Sequence, residues 1–237
     1  MARIRNCIEI LQEYLQQHKH CYLCRQASKD LVCEACVKDT LLTHLPVPGF
    51  DILMQPKLAE HLVTPYYHHF YALGEYAGIL KILINRLKFG NNPLAAEVLA
   101  QFFMSVIYPR ISQLDDLPEL LVPIPLSMWR YVGREYNQAR LLAQSVSKLS
   151  NIPVAECLIR SRHTSAQSQL DREARLANID NAFAINQPIQ SNHIALIDDV
   201  VTTGATVNSA CRTIVKHYPD MRISIWSMAV TPSKKTS

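Results

Sequence analysis

A chain of 237 residues, 49% apolar and 19% charged, is long enough for one substantial core plus a small appendage and too apolar to stay disordered. Its formal net charge of +4 tolerates an anionic ligand without demanding nucleic acid. No apolar run approaches the roughly 20 residues of a bilayer span, and Asn6, Glu9, Gln12 and Glu13 interrupt the place where a signal peptide needs its apolar core, so a cytoplasmic location without membrane insertion is expected.

In chain order, Ile4, Ile8, Leu11 and Leu15 recur at helical spacing and predict an opening helix with one apolar stripe. CYLCRQASKDLVCEAC follows, in which Cys21, Cys24, Cys33 and Cys36 form two C-x2-C pairs. Two residues between thiolates let one tight turn present both sulfurs to one ion, and two such turns complete a tetrahedral set. Four thiolates with no open position suit a structural zinc; an iron–sulfur cluster takes the same ligands, but the paired spacing favours zinc. Seven cysteines in all is an odd number, which argues against a closed disulfide framework. Cys7, Cys157 and Cys211 read as small buried hydrophobes. Lys19, Arg25, Lys29 and Lys38 around the quartet could touch nucleic acid, although a folding staple for a segment too small to have a core is the simpler reading. THLPVPGFDILMQPKL is a proline-bearing connector. The sequence thus divides into a helix and four-cysteine knuckle over 1–45 and a larger domain over 60–232.

YYHHFYALGEY at 66–76 offers rings for base stacking, but a strand and helix start facing the core is preferred, and His68 and His69 have no companion ligand motif. Tyr76, Ile79, Leu80, Leu83, Ile84 and Leu87 predict a core-facing helix over 76–88, stopped by FGNNP, with another helix over 94–107. Strands are then expected at 119–125, 155–160, 193–198 and 222–230, with helices at 137–149 and 204–217. Such alternation implies an α/β fold with a mostly parallel sheet flanked by helices. The polar stretch 161–181, with Arg162, Arg172 and Arg175, breaks this rhythm, as functional connections often do. PSKKTS ends the chain as a frayed tail.

The most informative stretch is IALIDDVVTTGATVNSA. An apolar strand runs into Asp198 and Asp199 and then into a small turn, Thr202, Thr203, Gly204, Ala205 and Thr206, which opens a helix. Backbone N–H groups at such a turn form a concave anion site aided by the helix dipole. The stretch lacks both the Walker lysine pattern and the three glycines of a dinucleotide fingerprint. Carboxylates this close to a bound phosphate need another partner, and the hydroxyls of a phosphorylated ribose supply one.

IALIDDVVTTGAT resembles the phosphoribosyl-pyrophosphate (PRPP) signature of type I phosphoribosyltransferases. The wider chain resembles the competence protein F (ComF) family through the four-cysteine knuckle, LKFGNNPLA, LVPIPL, REYNQA, RSRHTSAQSQL and REARLANIDNAF, in that order. The resemblance implies a type I phosphoribosyltransferase-like domain in which Asp198 and Asp199 are catalytic and hold the ribose hydroxyls. It places the 5-phosphate on Thr202, Thr203, Gly204, Ala205 and Thr206, and the pyrophosphate near the strand end Val122-Pro123-Ile124-Pro125. Arg134, Asn137, Arg160, Arg162, Gln167 and Arg175 would line the site or its flap, and Mg²⁺ would accompany PRPP. The family usually shows Arg-Gly-Phe-Asn where this chain has Arg134-Glu135-Tyr136-Asn137, and Glu135 adds negative charge to the loop expected near pyrophosphate. The implied function is a PRPP-binding protein, plausibly a transferase, serving DNA uptake and natural transformation, with single-stranded DNA or uptake and recombination proteins as partners. The alternatives are a non-catalytic DNA-binding accessory factor and a nucleotide-salvage transferase; no base-recognition segment for salvage is identified.

Overall fold

The computed structural model describes residues 20–44, 51–55, 59, 62, 66–90, 92–114, 116–126, 136–160 and 182–231. The expected opening helix, Arg134, Arg162, Gln167 and Arg175 lie outside them. The chain forms two compact units, Met1–Thr43 and His44–Ser237.

In the first unit, His20 and Ala27 pair across a tight loop in which Arg25 takes φ 65°. Cys21 N–H donates to the Gln26 carbonyl at 2.7 Å and Arg25 N–H to the Cys21 carbonyl at 2.9 Å, closing the first turn. The second cysteine pair is not a matching turn. Cys33 immediately precedes helix α1 (Glu34–His44), and Cys36 lies in its first turn, because the Val37 N–H already bonds the Cys33 carbonyl at 3.0 Å. Positions three apart at a helix start face the same side, so the same sulfur convergence is reached by a different local structure.

The second unit runs β1 (His69–Ala72), α2 (Gly78–Phe89), α3 (Leu94–Val106), α4 (Tyr108–Gln113), β2 (Leu120–Pro123), α5 (Gln138–Ser150), β3 (Leu158–Arg160), β4 (Phe183–Ile185), β5 (His193–Val201), α6 (Ala205–His217) and β6 (Arg222–Val230). Four strands form a parallel sheet in the order β1-β6-β5-β2. Its central members carry near-continuous apolar runs because both faces are covered. On one face, Val207, Ala210, Cys211 and Ile214 of α6 share a core with Phe70, Val122, Ile194, Leu196, Ile223 and Ile225. Elsewhere α3 packs the Phe103 ring against Trp226, centroids 5.0 Å apart, and α5 packs against α3, β2 and β5.

Two expectations change. Leu94–Gln113 is long and apolar enough to cross a membrane; Glu97 and Arg110 interrupt it as a run. It breaks at Ile107 between α3 and α4, and Val98, Leu99, Phe102 and Phe103 are buried in the protein core. The strand expected at 155–160 does not join the main sheet as a long member: β3 pairs antiparallel with β4 in a separate two-stranded sheet. Only the segment just before it touches β2, where Leu121 N–H donates to Pro153 at 2.8 Å and Ala155 N–H returns to Leu121 at 3.0 Å.

That contact fixes the site. The chain leaving β2 through α5 returns on the outer side of β2, whereas the chain leaving β5 through α6 goes to β6 on the opposite side. Neighbouring strands whose connections depart in opposite directions leave a crevice beyond their carboxyl ends, where open α/β sheets bind ligands.

Candidate functional site

A cavity of about 490 Å³ fills that crevice, bounded by the residues after β2, the end of β5, the start of α6 and Lys88 of α2. Asp198 and Asp199 both line it, within β5 rather than after it. Successive strand residues point to opposite faces, and the two carboxylates accordingly have different partners. Asp198 Oδ1 accepts the Asp199 N–H at 2.8 Å. Asp199, 8% exposed as a residue, forms an ion pair with Lys88, Nζ to Oδ1 2.9 Å.

Beyond β5, Gly204 occupies the N-cap of α6 with φ 74°. A Cβ there would meet Leu62 Cδ2 at 3.2 Å, so the left-handed backbone and the close approach both call for glycine. No side chain caps this helix by accepting an N–H at the cap position. Ala205 N–H makes only a long contact to Thr203 Oγ1, 3.4 Å, and the first-turn N–H groups of a 13-residue helix are donors of the kind that hold an anion. Thr202, Gly204, Ala205 and Thr206 line the cavity; Thr203 is exposed and does not. Beneath the turn lies the buried Tyr67 hydroxyl, which has no hydrogen-bond partner among the described residues and would stand 3.6 Å from a Cβ at position 204. Burial, then the neighbouring Cys211 and Asp51, push its phenol upward and keep it neutral.

Of the other expected residues, Asn137 lines the cavity, but its amide is engaged in the scaffold. Oδ1 accepts Ala139 N–H at 3.1 Å to cap α5, and Nδ2 donates to the Ile124 carbonyl at 3.1 Å. It ties the end of β2 to the start of α5. Arg160 reaches the cavity from β3, its guanidinium 5.0 Å from the Phe183 ring centroid. Lys88, Tyr76, Gln138 and Thr231 also line the cavity and are not among the site residues expected from the sequence. A lysine in the last turn of an apolar helix reads as an ordinary dipole complement, which hides Lys88.

The cysteine cluster is compact. All four sulfurs lie within 4.8 Å of one another, and Cys24 Sγ is 3.8 Å from Cys33 Sγ. Tetrahedral zinc with Zn–S bonds of about 2.3 Å requires sulfurs roughly 3.8 Å apart, so the set fits such an ion. Burial pushes the Cys21 thiol up, but N–H groups of Cys24, Cys33 and Leu23 outweigh it and bring the group down to about 6. Cys36 moves the other way, held protonated by burial and by the sulfurs of Cys24, Cys33 and Cys21. Four converging sulfurs cannot all ionise without a cation among them.

The magnesium implied by resemblance fits less well as a protein-held ion. Asp199 already has Lys88 as its counter-ion, and the cysteine quartet is the only cluster of three or more metal-ligating side chains among the described residues.

Compared with known proteins, the chain is 30% identical over 220 residues to competence protein F of Haemophilus influenzae, spanning 89% of this chain and 95% of that protein. It is 29% identical over 215 residues to DNA utilization protein YhgH of Escherichia coli strain K12, spanning 89% and 90%. With competence protein ComFC of Bacillus subtilis strain 168 it shares 29% identity over 219 residues, spanning 89% and 83%. No protein-family model matches the chain.

Proposed function

The chain belongs to the competence protein F family, and on that premise we propose that it is a PRPP-binding, phosphoribosyltransferase-like protein serving DNA uptake and use in the cytoplasm. One observation carries this reading: a strand delivers two adjacent carboxylates directly into an open helix N-terminus beyond the switch point of the sheet. The 5-phosphate lies on the N–H groups of Gly204 to Thr206, and the ribose hydroxyls donate to Asp198 and Asp199. Arg160 faces the departing pyrophosphate, whose negative charge grows as the C–O bond lengthens. Arg134, Arg162, Gln167 and Arg175 are assigned to the same ligand on the family resemblance alone. Names of relatives that speak of competence and DNA utilization support the biological setting.

In the first unit we assign zinc to the four cysteines as a structural ion. Metal analysis of protein purified without chelator is expected to find one zinc per chain, and a zinc-free preparation with an intact fold would contradict it. A second reading, a DNA-binding accessory role for this unit, draws on Arg25 and Lys29, both exposed beside the cysteines. Its signature is single-stranded DNA affinity that falls steeply with salt and is lost on Cys21→Ser but not on substitutions in the cleft.

Titration calorimetry with PRPP tests the main reading. Wild type is expected to bind, and the double change Asp198→Asn with Asp199→Asn to weaken binding by about tenfold or more, the effect of losing charge-assisted hydrogen bonds. Absence of heat with wild type, or equal binding by the double variant, contradicts it.

A further inference from the structure

We propose that Lys88 is the resident counter-cation of the cleft, so that a phosphorylated sugar binds there without a divalent metal. This deepens the sugar-phosphate reading and rests on it. Among the described residues, the charged groups on the cavity wall are two carboxylates, Asp198 and Asp199, and two cations, Lys88 and Arg160, so this part of the wall is balanced before any ion arrives. Lys88 and Asp199 meet at 2.9 Å with side chains only 15% and 11% exposed, where the charges are weakly screened and neither is easily left alone.

Lys88 is also held in place. It lies in the last turn of α2, whose terminal carbonyls favour a cation. Its Nζ lies 5.9 Å from the centre of the Tyr76 ring, and Tyr76 is fixed in turn by a 2.7 Å bond from its hydroxyl to Asn85 Oδ1. From the other side, the Tyr136 hydroxyl donates to the Leu87 carbonyl at 2.8 Å, pinning the helix end. A lysine braced in this way does at Asp199 what a divalent ion would otherwise have to do. It cancels one carboxylate next to the phosphate turn while leaving oxygens free to accept a sugar hydroxyl.

Ribose 5-phosphate is the probe, because it has no pyrophosphate to bring in a cation of its own. Its affinity is to be measured with EDTA and with excess Mg²⁺ for wild type, Lys88→Met and Lys88→Arg. Wild type and Lys88→Arg are expected to bind equally under both conditions. Lys88→Met should bind about tenfold or more weakly in EDTA and recover when Mg²⁺ is added, as a lost counter-charge replaced by another predicts. A purely structural role for Lys88 would lower binding without creating metal dependence, and so would overturn the assignment. Wild-type binding that requires Mg²⁺, or metal-free binding retained in Lys88→Met, also overturns it while leaving the sugar-phosphate reading intact. No binding of ribose 5-phosphate by wild type under either condition would remove both. Should Lys88→Met not fold, Lys88→Met with Asp199→Asn leaves no buried charge unpaired; it is expected to bind weakly and without response to Mg²⁺, and a Mg²⁺-dependent gain would count against the assignment.

Discussion

The two ends of the same parallel sheet carry similar charges put to opposite uses. At the amino end, Asp116 pairs with Arg222 at 2.7 Å and faces His69 at 3.5 Å and His193 at 3.8 Å, with the Tyr71 hydroxyl donating to it at 3.3 Å. Asp51 accepts Leu53 and Phe70 N–H groups at 3.0 Å each and meets His69 Nδ1 at 2.8 Å. His193 Nε2 is 2.8 Å from Ser224 Oγ. These carboxylates are surrounded by fixed ion-pair and hydrogen-bond partners and tie strand starts together, although Asp116 Oδ1 meets Arg222 as an ion pair without an aligned hydrogen bond. At the carboxyl end, Asp199 has one lysine and opens on a cavity. A buried carboxylate surrounded by donors is structural; one balanced by a single cation beside open space is available to a ligand.

Substitutions should separate the two ends. Asp116→Ala strips the amino end of its hub, leaving Arg222 and His193 without their carboxylate and His69 with Asp51 alone. A loss of about 2–3 kcal/mol is expected by urea unfolding, below the cost at a fully buried pair because Arg222 is half exposed, with ribose 5-phosphate affinity unchanged in the folded protein. A matching loss of affinity would show that the ends are not independent.

At the carboxyl end, Gly204→Ala forces a side chain into the left-handed region and against Leu62. Stability should drop by about 1–2 kcal/mol, and ligand affinity should fall with it. Unchanged affinity would detach the turn from binding.

The amino end also predicts a pH response. Burial holds His193 below its ordinary value against the pull of Asp116, with Arg222 and His69 adding to the depression. The unfolded chain takes up this proton through about pH 6.5 while the folded one resists. Unfolding therefore gains a proton on acidification, and stability falls as pH drops from about 7.5 to about 5.5. His193→Gln should flatten that part of the profile; an unchanged slope assigns it to other groups.

Smallest is Tyr67→Phe. Its buried hydroxyl has no partner among the described residues, so removal should change stability by no more than about 0.5 kcal/mol or raise it slightly. A loss above about 1 kcal/mol would reveal a partner for the hydroxyl.

How much of this was readable beforehand depends on how local the signal is. β6 is legible over its full range because only Ser224 and Ser227 interrupt the apolar residues between Arg222 and Thr231. Asn137 marked the start of α5, which it caps, and Asp198 to Thr206 announced the cleft because strand, carboxylates and helix start are contiguous. The β3 pairing was hidden because its three-residue partner β4 lies beyond the polar stretch 161–181. The Lys88–Asp199 pair joins residues far apart in the chain, and Asp51 and Asp116 belong to no motif that marks them. Such pairs are created by the topology of the sheet, and no local pattern encodes them.

The central claim is that the Thr202 to Thr206 turn, with the helix start it opens, holds a sugar phosphate. Amide chemical-shift mapping of ¹⁵N-labelled protein during titration with ribose 5-phosphate tests it most directly. The account predicts the largest shifts at Gly204, Ala205, Thr206 and Val207, with smaller ones at Asp198 and Asp199 and none at His69, His193 or Arg222. Saturating shifts centred on the amino end of the sheet, or no shifts at 204–207, would contradict it.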